Sequence, residues 1–178
     1  MILKNKRWMA FFSHTGNEIN NISKKIGRYP DRVVTNNKPG SNINTELVNR
    51  LTKDIVYTSN RPTVEDYSRI ILEDCVITLH GWMRIVPKEI CTDNEMYNLH
   101  PGLITRYPEL KGADPQKRVA VSIIKEYDYI GCVIHRVTPG VDEGEVLAEI
   151  STRNHYSGVD DVTRKLHSMA TDLWIEFL

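Results

Sequence analysis

Three cysteines in 178 residues, Cys75, Cys91 and Cys132, are too few and too scattered for a disulfide framework. Their number is odd and no CxxC pair occurs, which also excludes the paired thiolates of a structural zinc site. Cys75 and Cys132 lie inside apolar strand-like runs, where a free thiol behaves as a small buried hydrophobe. No apolar run approaches the roughly 18 residues that span a bilayer. The N-terminus lacks the apolar stretch and small-residue cleavage site of a signal peptide, so a cytoplasmic protein without a membrane partner is expected. Neither sign of charge is in excess: 23 Lys and Arg face 23 Asp and Glu. Neutrality argues against broad binding to nucleic acid. Repeats, low-complexity tracts and linkers are absent too, and the reading is one domain, residues 1–178, long enough to bury its own core.

The charge is uneven along the chain. Residues 1–30 carry Lys4, Lys6, Arg7, Lys24, Lys25 and Arg28 against Glu18 alone, which suggests a local anion site near the N-terminus.

Short β-branched or apolar runs alternate with helix-period segments, the pattern of an α/β sheet built from crossover units. Strands are predicted at 7–12, around Val33 and Val34, at 55–57, at 75–79 and up to Asn98 and His100. A long strand follows at 129–137, with 146–150 as its antiparallel neighbour. Helices are predicted from the break at Ser13–Gly16 to Gly27, around Leu47, Val48 and Leu51, and after the Thr63 and Asp66 cap. Two more are expected at 115–126 (Val119, Ile123, Ile124) and from near Ser157, with Val162, Leu166, Met169, Leu173 and Phe177 on one stripe. The continuous apolar run CVITL at 75–79 suits a central strand covered on both faces.

In open α/β sheets ligands bind beyond the carboxyl ends of the strands, and four such places carry chemistry. Ser13, His14, Thr15, Gly16 and Asn17 form a glycine-containing turn into a helix: either an anion cradle or a helix start capped by Thr15 or Asn17. Gly81 to Val86, with Met83, Arg84 and Ile85 between, is an apolar loop that packs on a core edge or walls a pocket. Asn98 and His100 point to the same face of their strand. An amide donor beside an imidazole can stabilise an oxyanion and exchange a proton, or satisfy buried backbone groups. His135 ends a strand seven residues before Asp142, which lies on the turn Pro139, Gly140, Val141. Such a carboxylate orients an imidazole or bonds its own backbone. His80, His100, His135 and Asp142 lack the same-strand or i,i+4 spacing of a metal site, so no metal is expected.

In order along the chain, these blocks resemble the formyltransferase family that uses 10-formyltetrahydrofolate, especially its glycinamide ribonucleotide branch. Ser13 to Asn17 stands where that family has its acceptor-phosphate loop. Gly81-Trp82-Met83-Arg84-Ile85-Val86 is similar to its G-F-M-R-I-L folate segment, and Asn98-Leu99-His100-Pro101-Gly102-Leu103 to its N-x-H-P-S-L-L signature. His135-Arg136-Val137 and Val141-Asp142-Glu143-Gly144 are similar to its V-H-x-V and L-D-x-G blocks.

The resemblance implies a Rossmann-like formyltransferase fold, mostly parallel with an antiparallel C-terminal strand pair. It implies an enzyme that moves a formyl group from 10-formyltetrahydrofolate to a small amine, as in purine biosynthesis. Asn98 and His100 would stabilise the tetrahedral intermediate, Asp142 would assist proton transfer, and His135 would support the site. Met83, Arg84, Ile85 and Val86, with Pro139, Gly140 and Val141, would wall the folate. Ser13, His14, Thr15, Gly16 and Asn17 would hold the acceptor, flanked by the basic N-terminal residues. Partners are then folate and an amine, with no nucleic acid, and the chain is a monomer or homodimer.

Two segments depart from that pattern. Only Gly16 remains of a glycine-rich loop, and Lys111-Gly112-Ala113-Asp114-Pro115 is closer to the R-G-A-x-P of transfer-RNA and sugar formyltransferases. With 178 residues, a C-terminal domain like the one with which the transfer-RNA enzymes grip their substrate is not expected. Alternatives are a 10-formyltetrahydrofolate hydrolase, a formyltransferase for an amino sugar or modified nucleotide, and an inactive folate- or nucleotide-binding module.

Overall fold

The computed structural model describes residues 2–113, 115–121, 127–155 and 158–178. Seven strands, β1 Arg7–Phe12, β2 Arg32–Thr35, β3 Ile55–Tyr57, β4 Cys75–His80, β5 Glu95–His100, β6 Tyr129–Arg136 and β7 Val146–Arg153, form one sheet in the order β3-β2-β1-β4-β5-β6-β7. The first five run parallel; β6 is antiparallel to β5, and β7 to β6. The helices are α1 Asn17–Ile26, α2 Thr45–Arg50, α3 Val64–Ile70, α4 Lys88–Asp93, α5 Pro115–Val121 and α6 Val159–Phe177, with a 3₁₀ turn at Pro108–Leu110.

Both faces of the sheet are covered where the strand sequences are apolar throughout. On β1, Trp8, Ala10 and Phe12 join a core with Ile19 and Ile22 of α1 and Leu166, Met169, Leu173 and Trp174 of α6. Met9 and Phe11 join the opposite core with Ile77, Leu79, Tyr67 of α3 and Ile90 of α4. Trp8 is fully buried, and its indole N–H donates to Thr78 Oγ1 at 2.8 Å, so burial leaves no orphan donor there. Thr63 and Asp66 form the expected capping box at α3. The three cysteines are free, and burial pushes the Cys132 thiol well above its usual range.

The structure adds and adjusts elements. Helix α4 was not expected. Strand β7 runs three residues past Ile150 because its side chains alternate half-buried and exposed, the pattern of an edge strand. The cap position of α1 is Gly16, at φ 73°, rather than Thr15 or Asn17. Its left-handed backbone, with Leu47 Cδ2 2.8 Å from where a Cβ would sit, leaves room for glycine alone. Ile123, Ile124 and Ser157, expected on helices, lie outside the described residues.

Candidate active site

The strand order reverses between β1 and β4, which opens a crevice at their carboxyl ends. The loops after β1 and β4 meet there. The loop after β4 is anchored by Trp82, buried edge-on against Phe11 and donating its indole N–H to Tyr67 Oη at 3.1 Å. Val86 is buried as well, while Met83 is 53% and Ile85 76% exposed. The two readings of this loop therefore divide by residue, with Trp82 and Val86 packing the core edge and Met83 and Ile85 facing outward. Ser13 Oγ accepts from Met83 N at 2.9 Å. The Asn36 amide, turned so that its nitrogen donates to Ser13 Oγ (2.8 Å), accepts from Arg84 at 2.7 Å. Ser13 thus braces the β4 loop.

Strand β5 brings Asn98 opposite His135 of β6, and His100 opposite Val133. The turn after β6 folds back so that Asp142 sits between the two imidazoles. Its Oδ2 is 3.2 Å from His100 Nδ1 and its Oδ1 3.2 Å from His135 Nε2. The Gly112 backbone N–H donates to Oδ2 at 2.9 Å, and Asp142 takes a left-handed φ of 52° to reach all three. The second nitrogen of each ring meets a backbone carbonyl: His100 Nε2 donates to Leu110 O (2.8 Å) and His135 Nδ1 to Arg136 O (2.9 Å). A carbonyl and a carboxylate both only accept, so a ring protonated on both nitrogens satisfies both neighbours of His100. Asn98 Nδ2 also lies 3.2 Å from His135 Nε2. That nitrogen cannot accept from Asn98 while it donates to Asp142.

A family model described as Formyl transferase matches residues 17–178. The chain belongs to the formyl transferase family. Solved structures of similar shape include phosphoribosylglycinamide formyltransferase from Anaplasma phagocytophilum, with TM-score 0.80 and 18% identity, covering 96% of this chain and 84% of that one. The enzyme of that name from Campylobacter jejuni gives TM-score 0.78 and 20% identity over 96% and 94%. A formyltetrahydrofolate deformylase from Pseudomonas syringae gives 0.74 and 16% over 96% and 59%. No curated protein sequence matches the chain significantly.

In this formyl transferase the Asp142 carboxyl is pulled two ways. Burial raises its pKa, and the hydrogen bonds from His100 and His135, the His100 charge and the Gly112 N–H lower it by more, so it stays well below the usual carboxylate range. His100 and His135 are 4% and 3% exposed, which removes their rings from competing water. Val141, at 55% exposure, stands on the turn beside Pro139 and Gly140. Among the described residues no group of three His, Cys, Asp or Glu is placed to hold a metal ion, and no helix is long and apolar enough to cross a membrane.

One expectation is overturned. Of the basic N-terminal residues, Lys6, Arg7 and Arg28 do not flank Gly16. Helix α1 runs back along β1, so Arg28 reaches Leu3 O and Lys6 O, Lys6 pairs with Glu95 at the start of β5, and Arg7 bonds Glu73 O. This basic group sits at the amino edge of the sheet, and Lys24 is paired with Glu46.

Sequence reasoning missed Leu110 and Gly112, whose backbone groups complete the bracket. The available signal was Gly112 itself, at φ 88°, a conformation glycine adopts freely. It also missed Asn36, which braces Ser13 and Arg84, and Glu18, whose Oε2 lies 2.7 Å from His80 Nδ1.

Proposed function

We propose that the protein is a cytoplasmic enzyme that transfers the formyl group of 10-formyltetrahydrofolate to the amine of a small acceptor. The observation that carries this reading is the convergence of His100 and His135 on one part-buried Asp142, with Asn98 beside His135. The folate fits the residues present: Met83, Ile85 and Val141 are large apolar side chains left exposed on the loops after β4 and β6, and a flat heterocycle laid against them would cover that surface. Arg84, Val86, Pro139 and Gly140 complete those two loops.

When bound, the folate supplies the formyl group; the chain supplies charge and protons. As the amine attacks, the formyl oxygen gains negative charge. The Asn98 amide and protonated His100 donate to it, the arrangement that stabilises an oxyanion. His100 Nε2 is held by Leu110 O at 2.8 Å, so the formyl oxygen replaces that carbonyl as the partner of the ring. Asp142 keeps His100 charged and oriented, and relays the proton leaving the amine, directly or through a water, to the departing folate nitrogen, so that the chain ends with the protons it began with. His135 holds the other Asp142 oxygen and faces Asn98, which makes it a positioning residue. Ser13, His14, Thr15, Gly16 and Asn17 form the acceptor side of the crevice.

The test is to supply 10-formyltetrahydrofolate with a panel of amines and follow both tetrahydrofolate and formylated product. Release that requires an amine supports the transferase. Equal release without any amine would make the protein a hydrolase, and no release under either condition would sink both.

A further inference from the structure

The two edges of the sheet differ. Edge strand β3 has three residues, too short to template a neighbour, whereas β7 has eight, without proline or lysine, and no described strand pairs with its outer side. The hydrogen-bond alternation of an antiparallel ladder says which backbone groups face outward. Asn154 N–H donates to Asp128 O at 2.8 Å, so residues 148, 150 and 152 bond β6 in turn, and the N–H and C=O of Glu149, Ser151 and Arg153 point away from it. An irregularity opposite Ile134 and His135 breaks the register at Leu147, which leaves these three residues as the regular, unpaired edge.

The side chains on that edge carry charges that their own chain leaves unpaired. Glu149 accepts from the Thr105 hydroxyl, and no ion pair to Glu149, Arg106 or Arg153 forms among the described residues. Arg153 bonds the Tyr129 phenol, and its charge with that of Arg106, whose guanidinium lies 4.0 Å from the Tyr129 ring centre, holds the phenol below its usual range. Two guanidinium groups thus share one phenol and lack a carboxylate. Glu149 and Arg153 lie on the same face but stand about 13 Å apart along the strand, too far to pair with each other.

We propose that β7 is a homodimer interface: a second copy of this chain pairs antiparallel along the edge, with the two-fold axis at Ser151. In that register all three outward-facing residues of each copy are paired, Ser151 with its counterpart and Glu149 with the partner's Arg153, twice, through about six backbone hydrogen bonds. It also brings each Glu149 carboxylate to the Arg153 and Arg106 guanidinium groups of the other copy, the cross-strand contact of opposite charges that stabilises an antiparallel pair. Moving the axis one residue toward either end sets Arg153 opposite Leu147 or opposite Ser151, and in neither case opposite Glu149. The pairing holds whatever reaction the crevice carries.

The test is analytical ultracentrifugation of the full chain. A dimer should be populated by about 100 μM, as expected of a small, polar interface. Arg153→Glu sets two carboxylates opposite each other at both ends of the ladder and should raise the dimer Kd by about a hundredfold, about tenfold for each like-charge pair. Adding Glu149→Arg to Arg153→Glu exchanges the two charges and should restore a Kd near the wild-type value. Under mild oxidation Ser151→Cys should link as a disulfide dimer, since facing residues of a bonded pair lie about 5.5 Å apart between Cα atoms. Leu147→Cys should not, being about 27 Å from its counterpart. A wild-type chain that stays monomeric at that concentration, or a dimer whose Kd is unmoved by Arg153→Glu, overturns the proposal. Linking through Leu147→Cys and not through Ser151→Cys overturns it too. The wild-type mass and the two cysteine variants decide the matter even if Arg153→Glu folds poorly.

Discussion

Replacing Asp142 by Asn is the sharpest probe of the bracket, because it removes the charge and keeps the shape, at the cost of setting an NH2 in place of the oxygen that faces His135 Nε2. Asparagine tolerates the left-handed backbone that Asp142 adopts at φ 52°, so no strain is added. Its amide oxygen can still accept from Gly112 N–H. What disappears is the attraction between the carboxylate and the His100 imidazolium, whose bonded atoms are 3.2 Å apart. Charge centres about 4 Å apart at an effective dielectric of about 20 interact by ~4 kcal/mol. A neutral hydrogen bond from the amide restores about 1 kcal/mol. The net loss of about 3 kcal/mol corresponds to a fall of about 10²-fold in kcat. The assay is the appearance of tetrahydrofolate at saturating folate and amine, with kcat and KM separated. Folate analogues should still raise the melting temperature of the variant, since the loops that hold them are untouched. An Asp142→Asn protein that folds, binds folate and keeps the wild-type kcat would refute the role given to this carboxylate.

Asn98→Ala should lower kcat by about 10²- to 10³-fold, the usual cost of one oxyanion donor, with a smaller effect on KM; steady-state kinetics checks it. Asp142 also makes a pH prediction. Its folded pKa is depressed, so its contribution to stability is fully present above the unfolded value of about 4 and is lost as pH falls through the folded one. Urea unfolding should show the stability difference between wild type and Asp142→Asn shrinking as pH falls below about 4. Leu166→Ala empties a fully buried position on α6 beside Cys132 and should cost about 2–5 kcal/mol by the same measurement. Thr63→Ala removes one half of the α3 capping box and should cost about 1 kcal/mol.

Strands β1 and β3 were legible in the sequence to the residue, since β-branched and aromatic runs bounded by polar breaks leave little freedom. Helix α4 was not. It has six residues, follows Pro87, and carries Ile90, Cys91 and Thr92, whose weak helix propensity is overridden by packing Ile90 and Cys91 into the core. Asn98 and His100 were readable because a strand fixes which side chains share a face. The position of the basic residues was misread because proximity in sequence to Gly16 is reversed by the return of α1 along β1. The two-sided grip on Asp142 depends on the register between β5 and β6 and on backbone groups at Leu110 and Gly112, of which the sequence signals only the glycine.

The amide of Gly112 lies between exposed Lys111 and exposed Ala113, yet it is tied to a part-buried carboxylate. Hydrogen exchange at this single amide therefore reports on the bracket itself. Its protection factor measures the free energy of opening Asp142 away from the 110–112 backbone, with no substrate present and no turnover required. Ligands that settle into the crevice will register there as a change in exchange rate at one residue.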